Sequence, residues 1–147
     1  PCGQKDDGAC RYLQYGLEFR LENGVTTSIV MHPLDTPANV TDMYGKSTWS
    51  HFRGMAPGRV SLGLVPDAVI EGLGKPLQQQ PIEPPSAEGY VLTMQYDGLV
   101  IDFSRNPKDQ RLFASRMTVV KGSAAATASA TGTSTATAAA TKTGKAR

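Results

Sequence analysis

The chain has 147 residues with 15 basic and 13 acidic side chains, and three of the basic ones, Lys142, Lys145 and Arg147, lie beyond residue 121. The part before residue 122 therefore holds 12 basic against 13 acidic residues, a net −1 with no Lys/Arg stripe, which argues against nucleic-acid binding by a folded surface. No apolar run approaches the length of a membrane span.

At the amino end the chain starts on Pro1, without a charged-then-apolar leader, and reads as a fragment of a longer protein. Cys2 and Cys10 would close only a short loop, and no further Cys or His stands near them to complete a zinc site. The expectation is two free thiols.

Alternation begins after Tyr15. Leu17, Phe19 and Leu21 point one way and Glu18 and Arg20 the other, predicting a strand over Tyr12 to Leu21 with one solvated face. Glu22-Asn23-Gly24 makes a turn into a second strand, Val25 to His32. A three-residue loop with Gly24 left-handed would pair Leu21 with Val25 and Leu17 with Ile29, gathering the apolar side chains; a two-residue loop would set Phe19 against Ser28. The three-residue loop is the expectation.

Pro33 to Pro57 has no period and reads as a long connection, pinned to the domain by Tyr44, Trp49 and Phe52. Leu64 to Leu73 is the one predicted helix, with Val65, Val69, Ile70 and Leu73 on one side. Pro66 suits its first turn, Gly74 its exit, and Pro76 prevents continuation. Leu77 to Gly89 is Gln/Pro-rich and reads as a stiff spacer.

The second hairpin is the clearest feature. Tyr90, Leu92, Met94 and Tyr96 alternate, Asp97-Gly98 supplies a two-residue type I′ turn, and Leu99, Ile101 and Phe103 alternate again. This pairs Tyr96 with Leu99, Met94 with Ile101 and Leu92 with Phe103. A turn at residues 105–109 leads to a fifth strand, Arg111 to Val120. The expected fold is α+β: a mainly antiparallel sheet of about five strands, two hairpins plus a last strand, with one short helix covering its apolar face. Residues 1–121 form this module. Residues 122–147, only Ala, Thr, Ser and Gly with three basic residues, offer nothing large to bury and read as a disordered tail.

The chemistry is sparse. His32, Asp35, Asp42 and His51 have no metal-ligand spacing and read as surface or turn residues. There is no Gly-x-Ser-x-Gly elbow, and Gly72-Leu73-Gly74-Lys75 ends a helix where a phosphate loop would have to begin one. No catalytic residue, metal or cofactor is expected. Asn39-Val40-Thr41 is a glycosylation sequon, meaningful only in the secretory pathway. Trp49, His51 and Phe52 lie together in the irregular segment, and aromatic loops over a rigid sheet are common recognition surfaces. These three are the candidate protein-binding residues, with anchoring of the loop to the core as the other reading of Trp49.

Several blocks carry a resemblance. Cys10-Arg11-Tyr12, Tyr15-Gly16-Leu17-Glu18-Phe19 and Ile29-Val30-Met31-His32 come first, then Pro37, Asn39 and Tyr44, then Leu73-Gly74-Lys75-Pro76 closing a helix, then a hairpin and a strand through Phe113-Ala114-Ser115. In this order, over Gly8 to Lys121, the chain resembles the carboxy-terminal part of the phagosome assembly factor 1 family, eukaryotic proteins of autophagy and vesicle trafficking. The resemblance implies a non-catalytic scaffold module that pairs with a WD-repeat β-propeller protein. It also implies a cytoplasmic location, with recruitment to the phagophore or endomembranes and only indirect membrane association. Helix-then-Leu-Gly-x-Pro followed by a hairpin is similar also to bacterial envelope assembly domains of BamE-like shape, which is the alternative; a small enzyme is the third.

Overall fold

The computed structural model describes residues 5–6, 8–33, 36–38, 41, 45 and 47–121. Eight strands form one antiparallel sheet: β1 (Lys5–Asp6), β2 (Ala9–Tyr12), β3 (Leu17–Glu22), β4 (Val25–Met31), β5 (Gln78–Pro81), β6 (Tyr90–Tyr96), β7 (Leu99–Arg105) and β8 (Leu112–Val120). Their order, β1-β2-β3-β4-β8-β7-β6-β5, joins two meanders through the β4–β8 pair, where Ser28 to Met31 face Val120 to Met117. The α+β class with one short helix, α1 (Pro66–Leu73), is as expected. The strand count is not.

Three strands were hidden in the sequence. β1 and β2 precede the first alternating run, and a 3₁₀ turn at Leu13–Tyr15 splits what read as one strand from Tyr12. β5 lies in the segment read as a spacer. Its four residues, Gln-Gln-Gln-Pro, are all exposed on the sheet's edge, where pairing with β6 alone holds them. Proline is tolerated there because an edge strand has backbone donors to spare.

The first hairpin corrects the expected register. Its loop is the two-residue Asn23-Gly24, with φ of 52° and 78°, so Glu22 faces Val25 and Leu21 faces Thr26. The register then shifts by one residue at Thr27, which places Phe19 opposite Ile29 and Leu17 opposite Met31, where the expected loop had Leu17 opposite Ile29. A type I′ turn matches strand twist, and a β-bulge then realigns the apolar face, so loop choice and core burial did not have to be traded against each other. Thr27 Oγ1 donates to the Arg20 carbonyl beside the shift.

In the second hairpin all three expected pairs are present: Tyr96 with Leu99, Met94 with Ile101, Leu92 with Phe103. The turn itself differs, since φ is positive at Gly98 (70°) and not at Asp97. That is the φ pattern of a type II turn, which confines the left-handed conformation to the residue without a Cβ.

α1 starts at Pro66, later than Leu64, because the residue before a proline is excluded from helical ψ; Val65 is extended at ψ 156°. The Gly74 N–H bonds the Ile70 carbonyl, with φ at 81°. Val69 is fully buried against a core that includes Met94, Ile101, Phe103 and Met117, with Ile70 and Leu73 at its margin. This core occupies one face of the sheet. Period-2 alternation sends Glu18, Val30, Asp102 and Arg116 to the other face.

Candidate functional site

Two surfaces carry unusual side chains. The first lies on the sheet face away from α1. There β2, β3, β7 and β8 set Arg11, Glu18, Arg20, Asp102 and Arg116 side by side, because Arg11 faces Glu18 and Asp102 faces Arg116 across neighbouring strands. His32 closes the end of β4 on the same side. The sequence pattern had made this a solvated face, yet Glu18 is 8 % exposed and His32 9 %. Both expectations, a wet Glu18 and a surface His32, are overturned by the connection after β4, which folds back over the sheet.

Glu18 is the hub. Its Oε1 accepts from Arg20 Nε at 3.0 Å, Oε2 meets His32 Nε2 at 3.3 Å, and Arg11 Nε stands 3.9 Å from Oε2. The hydrogen bond from His32, joined by Arg20, outweighs burial and holds the Glu18 carboxyl down at about 2. Burial dominates at His32 and lowers its pKa from the ordinary value despite Glu18. The ring is therefore neutral at pH 7, and the proton on Nε2 is donated to the carboxylate. Asp102 is the second hub: Thr93 Oγ1 donates to it at 2.7 Å and Arg116 Nε at 2.9 Å, while the Arg116 guanidinium lies 4.3 Å above the Tyr90 ring. A cavity of about 400 Å³ opens between these groups and Trp49.

Trp49 is only 2 % exposed. Its ring stacks on His32 with centroids 3.9 Å apart and planes 7° from parallel, and it clusters with Leu13 and Ala38. It thus fixes the imidazole in place.

The second surface is a mostly apolar groove of about 780 Å³ walled by Gln14, Tyr15, Leu17, His51, Phe52 and Arg53. Backbone bonds build it: Ser50 N–H to the Leu13 carbonyl (2.8 Å), His32 N–H to Gly16 (2.9 Å) and Phe52 N–H to His32 (3.1 Å). Segment 50–52 lies so close to the 3₁₀ turn that a Cβ on Gly16 (φ 67°) would overlap the Ser50 carbonyl and stand 2.8 Å from the Phe52 nitrogen. His51 and Phe52 are half-buried in this wall, so Trp49, His51 and Phe52 do not form one cluster: the first faces inward and the other two wall the groove.

Sequence reasoning missed Arg11, Glu18, Arg20 and Arg116 as a group; the signal available was charged residues alternating with apolar ones, Glu18 and Arg20 on β3 and Arg116 beside Met117 on β8. Asp35, Asn39, Asp42 and Tyr44 lie outside the described residues, as does the segment read as a tail. Among the described residues no three His, Cys, Asp or Glu side chains group as metal ligands, and no helix is long and apolar enough to cross a membrane.

The cysteine expectation is corrected outright. Cys10 is disulfide-bonded; the chain's other cysteine, Cys2, lies outside the described residues. The β1–β2 hairpin sets Lys5 opposite Cys10. Compared with protein-family models, curated proteins and solved structures, the chain matches none of them.

Proposed function

We propose that this chain is a non-catalytic protein-interaction module that docks a partner in the groove beside the Leu13–Tyr15 turn. The observation that carries this reading is the groove itself: a mostly apolar wall on a segment held rigidly by three backbone hydrogen bonds, with Tyr15 59 % exposed at its rim. Exposed aromatics on a rigid frame lose little entropy on binding, which is why they dominate interface energetics. Among the described residues the buried Glu18–His32 pair is the arrangement most suggestive of acid–base chemistry, and the flat stack on Trp49 suits it to a structural role.

The resemblance to the phagosome assembly factor 1 family names the partner as a WD-repeat β-propeller in the cytoplasm. Co-purification of the full chain with such a propeller tests it. Phe52→Ala and Tyr15→Ala should abolish capture; the exposed Tyr15→Ala should melt near the parent chain, and Phe52→Ala, whose ring packs against the core, should melt lower while still folding. Undiminished capture by both folded variants would remove the groove from the interface.

One observation favours a second reading. Disulfides persist in oxidising compartments, and Cys10 is in one. The Asn39 sequon and the Ser/Thr-rich sequence after Lys121 have the composition of glycosylated secreted segments. On this reading the same module docks outside the cytoplasm, and a phagophore role falls away. Mass spectrometry of the protein from a eukaryotic host separates the two: a glycan on Asn39 with Cys10 resistant to alkylation establishes secretion, and a bare Asn39 with an alkylated Cys10 establishes the cytoplasm.

A further inference from the structure

The groove beside the Leu13–Tyr15 turn combines an apolar wall with a cation. Tyr15, Leu17 and Phe52 supply the apolar surface, and Leu17 and Phe52 also pack on the core. The Phe52 ring occupies the space that a side chain at Gly54 would need, since a Cβ there would overlap it. The wall is therefore held in shape before anything binds, which lowers the entropic cost of docking.

Arg53 follows Phe52, lines the same groove and is exposed. None of the groove's lining residues is acidic. Among the described residues the Arg53 side chain makes neither an ion pair nor a hydrogen bond. The polar face is built differently: there Arg20 and Arg116 are each engaged by a carboxylate, Glu18 and Asp102. A solvated arginine is ordinary on a surface. One that borders an apolar groove with no carboxylate in it is the complement of an acidic partner.

We infer that the groove takes a short segment of a partner protein in which an apolar side chain stands next to an acidic one. The apolar side chain lies against Tyr15, Leu17 and Phe52, and the carboxylate is received by the planar fork of Arg53. This rests on the docking reading above and adds the partner's chemistry to it. The volume, about 780 Å³, is in the range of sites that enclose a whole small molecule, so more than one side chain enters. The chain's own residues 122–147 do not fit, because they carry three basic and no acidic side chains and no apolar side chain larger than Ala.

Selection of random peptides about seven residues long, displayed on phage, against the immobilised full chain tests the inference. Enriched peptides should carry Asp or Glu next to a Leu, Ile, Met or aromatic residue. Titrated in solution, the same peptides should bind more weakly as salt rises from about 0.05 to 0.5 M. Arg53→Gln should weaken them by roughly two- to fivefold and Arg53→Glu by roughly tenfold or more, while Tyr15→Ala should remove binding. Both changes at Arg53 fall on an exposed, unpaired side chain, so their melting temperatures should match the parent's. Enriched peptides without an acidic residue, affinities indifferent to Arg53→Glu, or no enrichment at all would each overturn the proposal. Self-association of the chain that Arg53→Glu abolishes would overturn it too, by assigning the groove to a second copy. The docking reading fails on a different result: propeller capture undiminished in Tyr15→Ala and Phe52→Ala removes it, and capture lost in both keeps it whatever the peptides show.

Discussion

Gly16 offers the most direct test of how segment 50–52 is held. Two costs should add in Gly16→Ala. The left-handed backbone, φ 67°, disfavours any Cβ by about 1–2 kcal/mol. The new methyl would also overlap the Ser50 carbonyl and crowd the Phe52 nitrogen, both backbone atoms that cannot rotate away. Relief requires the segment to move and forfeits the bonds from Ser50 N–H to Leu13 and from Phe52 N–H to His32, at about 1 kcal/mol each. The sum is roughly 3–4 kcal/mol. Gly24→Ala is the matched control: φ is 78° but nothing lies within 4 Å, so only the backbone cost of about 1–2 kcal/mol applies. Urea unfolding followed by fluorescence reads both, since Trp49 is the chain's single tryptophan and is buried next to Ser50, whose carbonyl the methyl would overlap. Folded Gly16→Ala should also show red-shifted emission. Equal destabilisation of the two variants would refute the close approach as the reason for glycine at position 16.

Four further outcomes are expected. Glu18 carries a folded pKa of about 2 against 4.5 unfolded, so its contribution, roughly 3 kcal/mol, is complete above pH 4.5 and lost as pH falls toward 2. His32, lowered by burial, adds a loss that begins below pH 6.5; acid titration of stability should show both, and Glu18→Gln should erase the lower step. Trp49→Ala removes a 2 %-exposed ring stacked on His32 and should cost about 3–5 kcal/mol in denaturant; a neutral result would contradict the anchor. Gly98→Val places a β-branched residue at φ 70° with its Cβ 3.4 Å from the Val120 carbonyl, and calorimetry should register a loss of about 1–3 kcal/mol. Deleting residues 122–147 removes no large apolar side chain, and a melting temperature lowered by more than a few degrees would show that this segment packs.

What could be read from the sequence was what local periodicity encodes. The Tyr90–Phe103 hairpin and its cross-strand pairs followed from strict alternation around Asp97-Gly98, and α1 followed from apolar spacing bracketed by Pro66 and Gly74. Both depend on neighbours in the chain. The edge strand β5 did not follow, because Gln-Gln-Gln-Pro has no strand pattern and is held by hydrogen bonds to β6 alone. The bulge at Thr27 did not either, since it answers to an apolar face shared with β8.

The polar face shows the same division more sharply. Alternation placed Glu18 and Arg20 opposite Leu17 and Phe19, and by itself that pattern means solvent. Burial of Glu18 arises because the connection after β4 returns over the sheet, bringing Trp49 onto His32 and His32 onto Glu18. Arg11 and Arg116 reach the same cavity from strands β2 and β8, at opposite ends of the folded sequence. Local spacing thus determined which side of each strand a residue occupies. Which of those sides is covered, and which distant charges meet there, was decided by long-range strand order, because burial and ion pairing depend on distance in space and not along the chain.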